Sequence, residues 1–413
     1  LPDTLPSTPH STLPQPSGPS RAGLAIIGAG VSACTLAAQL RRNGQPGEAI
    51  SLWEAGRGPG GRATTRRSRH DPSLAIDHGA SLFNLSSQPC PEVLPLLLEQ
   101  RWVEPWTEPV AILDSAGDLR APRDDEWLLS GPCFRGRGGM ENLSQGLLSL
   151  AGEIDAHFDT LVRDIDRRQD RWLLKNAAGE ILSEAESLVL TGTLLAHPRS
   201  RLTFGWPAPP LQVLAERLRD PGLNHALAAI AALRFEARST LLLRIPADEA
   251  RQWEALPFRL LAFDPSAQQR WGLWRLFSQP LPRGEWAVVV HSSATFAAEH
   301  LSVYGARSAM ARQLGLPPRA EEERLVMQAL ARSLDEVMAQ WLPPRPSERG
   351  EWQLMRWGAA FPLPRGLPQA LCWNSSLKLG FCGDFIDGPG FAGVEGALRS
   401  AEALARRILG PAE

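Results

Sequence analysis

Apolar and polar positions follow two rhythms along this chain. Leu24-Ala25-Ile26-Ile27 is an unbroken apolar run ending at Gly28, the pattern of a buried parallel strand. From Val31 to Arg42, small and apolar residues at Cys34, Leu36, Ala37 and Leu40 predict a helix, which Asn43-Gly44 stops. Ala49–Glu54 reads as a second strand ending in an acid, completing one β-α-β unit. Strand-turn alternation returns at Leu74–Phe83, while residues 89–129 are proline-rich and irregular. A helix is predicted from Gly138-Gly139-Met140 through Leu143, Leu147 and Leu150. A β-meander follows, with strands Thr160–Asp166 and Arg171–Asn176 and its turn at Ala178-Gly179. Ser187–Leu190 is then a buried strand leading to Thr191-Gly192.

The stretch Pro198–Trp373 reads as a separate unit. It carries strands at Ser239–Ile245 and Trp286–Ser292. It also carries a helix at Ala320–Leu342, with apolar positions Leu325, Met327, Leu330, Leu334, Val337 and Met338, ended by Pro343-Pro344. The last segment returns to the style of the first: strand Leu377–Cys382, then Gly383-Asp384, then helix Gly393–Leu409. The simplest arrangement is an α/β nucleotide domain built from both chain ends and interrupted by a second domain. The first 22 residues, rich in Pro, Ser and Thr, lack the composition of a targeting signal and read as a disordered tail.

Gly28-Ala29-Gly30-Val31-Ser32-Ala33 lies between the first strand and the first helix, where G-x-G-x-x-G/A turns bind dinucleotides. Gly28 permits the tight turn, Gly30 lets backbone approach a pyrophosphate, and Ala33 lets helix pack close to strand. The helix start offers free N–H groups and about half a positive charge to phosphates. Ser32 adds a hydroxyl donor. Glu54 can accept the ribose hydroxyls of an adenosine and disfavours a 2′-phosphate, so FAD or NAD fits better than NADP. Further on, Gly60-Gly61-Arg62 can bring a guanidinium to the pyrophosphate. At the far end, Asp384 can hold the ribityl or pyrophosphate side. The helix start at Gly393-Val394 can face a flavin carbonyl.

The motifs G-A-G-x-S-A, G-G-R-x-x-T-R-R from Gly60, D-x-G-A from Asp77 and the glycine-rich run from Gly383 to Gly393 together resemble the flavin amine-oxidase superfamily. Within it, the chain is most similar to the renalases. Trp53-Glu54, Gly139-Met140, Val162 to Ile165 leading to Trp172, Val290-His291-Ser292 and Arg356-Trp357 carry that narrower likeness.

The resemblance covers about residues 23–410. It implies a Rossmann-like FAD-binding domain over 23–90, 134–197 and 374–410, with an inserted α+β substrate domain over 91–133 and 198–373. It implies non-covalent FAD held by Gly28, Gly30, Ser32, Glu54, Gly61, Arg62, Val162, Gly383, Asp384, Gly393 and Val394. Ala33 stands where many relatives have glycine.

The resemblance to renalases further implies oxidation of the 2- or 6-dihydro isomers of NAD(P)H. Hydride passes to the flavin, and oxygen then takes the electrons to give hydrogen peroxide. Such a transfer needs positioning more than acid-base side chains. His291, Arg356 and Trp357 are the candidate substrate contacts; a structural hydrogen bond is the alternative for His291 and a salt bridge for Arg356. Trp271, Trp274, Phe277 and Trp352 are candidate apolar walls, and Arg275 a candidate phosphate ligand. The chain has only two lysines, Lys175 and Lys378, and neither position suits a lysine-dependent amine oxidase. An amine oxidase or polyene desaturase is the nearest alternative. A non-catalytic flavin-binding module is another.

Composition narrows the partners. The 413 residues carry 43 basic and 45 acidic side chains, a net charge of -2, so nothing draws the whole chain to nucleic acid or an anionic membrane. No apolar run approaches the ~20 residues that span a bilayer. The five cysteines include no C-x-x-C pair, so a disulfide framework or metal site is not expected. A cytoplasmic protein acting on a small molecule is the resulting expectation, with oxygen as the electron acceptor that the resemblance implies.

Overall fold

The computed structural model describes residues 20–67, 71, 73–123, 126, 129–303, 313, 315, 317 and 319–410. Most of the expected tail, residues 1–19, lies outside them. Its last three residues do not behave as tail: Ser20, Arg21 and Ala22 pair with Ser183, Glu184 and Ala185. Their polar groups are satisfied there, since Ser20 Oγ donates to Asp155 at 2.9 Å and Ser183 Oγ donates to the Ser20 carbonyl at 3.2 Å.

Along the chain, β1 (Ser20–Ile27), α1 (Val31–Arg42) and β2 (Ile50–Trp53) form the opening unit. After β3 (Val110–Leu113) come α2 (Glu141–Ala151) and the strands β4 (Asp155–His157), β5 (Asp164–Arg168), β6 (Arg171–Lys175) and β7 (Ile181–Leu190). Three helices follow: α3 (Arg199–Phe204), α4 (Pro210–Leu218) and α5 (Pro221–Ala232). Then come β8 (Phe235–Ile245), β9 (Leu260–Phe263), β10 (Leu273–Pro280) and β11 (Trp286–Ser292). The chain ends with α6 (Ala320–Met338), β12 (Glu351–Pro362), β13 (Leu379–Phe381) and α7 (Val394–Leu409).

The first sheet runs β4-β2-β1-β7-β6-β5, and β13 adds in parallel to the last three residues of β7. Strands β1, β2, β4 and β7 are parallel, with Leu24 opposite both Ile50 and Ser187. Both faces of this sheet are covered. On one, Leu36, Ala37 and Leu40 of α1 meet Ile26, Leu52 and Val189, with Ala401 and Leu404 of α7 beside them. On the other, Leu211 and Leu214 of α4 and Leu223 and Ile230 of α5 pack on Trp172, Leu188 and Leu190. Strands buried on both faces need continuous apolar runs, and the first strand's Leu24–Ile27 supplies one.

The second sheet runs β12-β8-β11-β10-β9-β3, with a short strand Leu119–Arg120 at its edge. One face packs on α6 through Leu241, Leu243, Val288, Val290 and Leu354. This face and its opposite alternate along each strand, because successive side chains point to opposite sides of the pleat.

Several local expectations are corrected. The division at residue 198 assigns α3, α4 and α5 to the second unit, but the apolar faces of α4 and α5 complete the core of the first sheet. Likewise Val93, Leu94 and Leu97, placed with the second unit, pack with Met140, Leu143 and Leu147 of the first. The meander's first strand begins at Asp164, not Thr160. The turn joining it to β6 is Gln169-Asp170, both in left-handed backbone at φ 46 and 63. Ala178-Gly179 instead turns β6 into β7, with the Gly179 N–H donating to the Asn176 carbonyl.

In α6 the buried stripe is Val326, Leu330, Leu334, Val337 and Met338. Leu325, expected in the core, is 52% exposed because it sits one residue, about 100°, off that stripe. Leu325→Gln is therefore expected to change unfolding free energy by no more than ~0.5 kcal/mol in urea titrations.

Candidate functional site

A cleft of about 2080 Å³ opens between the two sheets. That exceeds the ~300–1,000 Å³ of an ordinary ligand pocket, so the cleft has room for a dinucleotide with a second molecule beside it.

The strand-helix turn forms its floor. Gly28 has φ +107, and a Cβ there would stand 2.3 Å from Thr191 Oγ1, so only glycine fits this turn as built. Gly30 bridges to Gly60, and a Cβ on Gly61 would approach the Gly30 Cα to 3.2 Å. The two glycine segments thus touch backbone to backbone and leave a bare surface above. The start of α1 has no side-chain cap, so the N–H groups of its first turn are left for another acceptor. Glu54 ties the turn together: its carboxylate accepts from the Ala29 N–H at 2.8 Å and the Gly56 N–H at 2.5 Å. A carboxylate accepts about four hydrogen bonds, so capacity for ribose hydroxyls remains.

Gly28, Gly30, Ser32, Glu54, Gly61, Arg62, Val162, Gly383, Asp384, Gly393 and Val394 all line this one cleft. Ala33 does not. It is fully buried in the core that joins α1 to the first sheet, so its part is packing rather than contact with a ligand.

Arg62 and Asp384 were expected to reach a cofactor separately. Instead they hold each other. The guanidinium donates two bonds to the Asp384 carboxylate, at 2.7 and 2.6 Å, and a third to the Ala360 carbonyl at 2.9 Å. Burial works against the charge on Arg62, but Asp384 outweighs it and holds its pKa above the ordinary value. This fork locks the Gly60-Gly61 segment, the end of β12 and the Gly383-Asp384 turn into one wall.

Sequence reasoning missed Arg199 entirely. It lines the cleft, donates to Thr193 Oγ1 at 3.2 Å, and rests 4.8 Å from the ring of Phe235. Its Nε has no partner among the described residues. Burial, then the neighbouring charges of Arg62 and Arg356, bring its pKa down to about 10 despite Asp384. The Pro198-Arg199 stretch carries no motif that would have marked it.

The second sheet supplies the opposite wall. On β8 the side chains of Arg238 and Leu242 face the cleft, while Leu241 and Ile245 face α6. Gln353, Met355 and Trp357 do the same on β12, His291 on β11, and Trp274 and Arg275 on β10. His291, Arg356 and Trp357 line the cleft, with Arg275 and Trp274. Trp271 and Trp352 do not; both pack in the core under α6, and Phe277 lies in a small cluster with Leu82 and Leu260.

Two histidines that line the cleft, His291 on β11 and His78 just after the segment 75–77, are held neutral near pH 7. His291 is buried, with Nδ1 3.1 Å from Thr240 Oγ1, and burial followed by Arg275 and Arg238 drives its pKa well below the usual histidine value. Burial followed by Arg66 brings His78 down to about 4. The His78 carbonyl accepts from the Trp357 indole at 3.2 Å, and the two rings lie 5.4 Å apart. Beneath them, the Asp77 carboxylate accepts from Thr65 Oγ1 at 2.6 Å and the Met140 N–H at 2.9 Å. Met140 itself is fully buried.

Neither lysine lines the cleft. Lys175 pairs with Asp166 at 3.2 Å and Lys378 lies 4.0 Å from Glu186. All five cysteines are free, and no cluster of metal-ligating side chains occurs among the described residues. No helix among them is long and apolar enough to cross a membrane.

A doubly covered parallel sheet with a glycine turn, joined across a cleft to a second mixed sheet, is the fold of the amine-oxidase-type two-domain flavoproteins. Residues 26–97 match the family model of the NAD(P)-binding Rossmann-like domain. A protein of Exiguobacterium sp. 255-15 assigned as a protoporphyrinogen oxidase superposes with TM-score 0.60 at 13% identity, over 95% of this chain and 99% of its own. Putrescine oxidase bound to putrescine superposes with TM-score 0.57 at 13% identity, over 94% and 99%. At such identities the likeness is one of fold alone. Comparison with curated proteins finds no match.

Proposed function

We propose that this protein is an FAD-dependent oxidoreductase that oxidises 2- or 6-dihydro isomers of NAD(P)H. The observation that carries the reading is a single cleft with a dinucleotide turn at one end and an aromatic, arginine-rich wall at the other. The residues fit FAD. The bare glycine floor admits a pyrophosphate, Glu54 has acceptor capacity for ribose, and the cation Arg199, which forms no ion pair among the described residues, stands near Arg62. Bound there, FAD would accept a hydride and pass the electrons to oxygen, giving hydrogen peroxide. Attachment is non-covalent on this reading, because Cys382 is fully buried and does not line the cleft.

The chain's own part is to bind and orient. Trp274 and Trp357 offer flat faces against which a nicotinamide ring can lie, and neutral His291 and His78 offer no mobile proton near neutral pH. Ten arginines line the cleft against five carboxylates, which favours an anionic substrate over a cationic amine. The same charge density opposes a polyene.

The test is anaerobic mixing of the holoprotein with dihydronicotinamide isomers and, separately, with amines. Bleaching of the flavin by the isomers alone is expected. Bleaching by amines alone would replace this reading with an amine oxidase, and bleaching by no donor would leave a flavin-binding module. Acid denaturation is expected to release the yellow cofactor into the supernatant.

A further inference from the structure

The second wall of the cleft holds a cation that no described side chain neutralises. Arg275 is 6% exposed. It forms no ion pair among the described residues, and its one hydrogen bond is a long one, 3.4 Å to the Gly79 carbonyl. Its Nε has no partner. Burial first, then the positive charge of Arg238, brings its pKa down to about 10. A buried charge without a counter-charge is strongly unfavourable, so a fold that keeps one has another use for it.

The surroundings are built for the same use. His291 stands opposite Arg275 in the β10–β11 register; its Nε2 is buried with no hydrogen bond of ordinary geometry among the described residues, although the Gly79 backbone interacts with the ring. Two guanidiniums lie near the Trp274 indole, Arg275 at 4.6 Å and Arg238 at 5.0 Å. Arg238 is neutralised by Glu236 at 2.7 Å through one terminal nitrogen, while its Nε also lacks a partner. Phe361 closes the group edge-on to Trp274 at 5.1 Å. All five side chains line the cleft.

We propose that Arg275, with His291 and Arg238, forms a subsite for an oxyanion, carboxylate or phosphate, carried by a substrate whose flat apolar part rests on Trp274. The planar fork of Arg275 suits two oxygens of such a group. In the tautomer where Thr240 Oγ1, 3.1 Å from Nδ1, donates to the ring, the His291 proton sits on Nε2 and can be offered to the same anion. The inference rests on the second-sheet wall being the substrate side of the cleft, and it names the substrate's chemical handle.

The experiment is calorimetric titration of the holoprotein with benzoate, phenyl phosphate and the neutral analogue benzyl alcohol. One of the two anions is expected to bind at one site per chain, and which of them does so identifies the oxyanion. Arg275→Gln is expected to weaken that binding by at least ~30-fold. Equal affinity for benzyl alcohol, no binding of either anion, or an Arg275→Gln affinity close to the parent's would overturn the proposal. The comparison with benzyl alcohol uses the parent protein alone, so it decides even if the variant does not fold. An intact, reducible flavin without anion binding removes the subsite only. Anion binding with a flavin that no donor reduces removes the functional reading only.

Discussion

Arg62→Ala is expected to weaken FAD binding by ~100-fold and to destabilise the apoprotein by about 2–3 kcal/mol. The stability loss comes from the stranded Asp384 carboxylate, and the affinity loss also from the missing Arg62 charge. Asp384 has a side chain only 8% exposed, and its two bonds from Arg62 are the ion pair that holds it. Without Arg62 a carboxylate is stranded in the wall of the cleft. Breaking a fully buried pair costs about 3–5 kcal/mol. The expectation here is lower because the Arg62 side chain is 39% exposed to the cleft, where water screens it. Flavin fluorescence titration and urea unfolding read the two effects separately. The double variant Arg62→Ala with Asp384→Asn removes the stranded charge and is expected to recover more than half of the lost stability, but not the flavin affinity. Equal stability of the single and double variants would show that the pair does not hold this wall.

That pair also marks the boundary of what the sequence discloses. Gly28, Gly30 and Glu54 are legible because strand, turn and helix are consecutive, and each residue's part follows from local backbone geometry. Arg62 and Asp384 are each legible as candidates, but their union spans 322 residues and depends on how the chain's end returns to its beginning. Arg275 and His291 meet only through the register of two antiparallel strands, which neither strand's pattern states alone.

The helices after residue 198 carry amphipathic patterns that declare a buried face without declaring which sheet receives it. The Gln169-Asp170 turn has no glycine to announce its left-handed backbone. Leu325 was misassigned because Val326 beside it is equally apolar; a helix face is a choice of phase, and a single residue's shift moves it by about 100°. In each case the local rule held and the missing term was tertiary.

Acidification from pH 6.5 to 5 is expected to lower the unfolding free energy by roughly 2 kcal/mol, with the cleft histidines as the cause. In the unfolded chain His78 and His291 take up protons near pH 6.5. In the folded protein burial, reinforced by nearby arginines, keeps both neutral, His78 down to about 4. The unfolded state therefore binds more protons across this interval, and stability falls as pH falls. His197, lowered by burial as well, acts in the same sense.

Asp77 opposes them. Burial holds its carboxyl proton up to about 6, whereas an unfolded aspartate loses it near 4, so its contribution grows on acidification through the same interval. Glu402, also raised by burial, adds to that opposing effect. The histidines prevail because His78, His291 and His197 all act in one sense, His78 alone contributing up to about 2 kcal/mol over one and a half pH units. Urea unfolding at pH 6.5, 5.75 and 5 measures the slope directly. Joint replacement of His78 and His291 by Gln is expected to remove most of it, and Asp77→Asn to steepen it. A slope that survives the double histidine replacement unchanged would place the acid sensitivity outside the cleft and overturn the claim that His78 and His291 are held neutral.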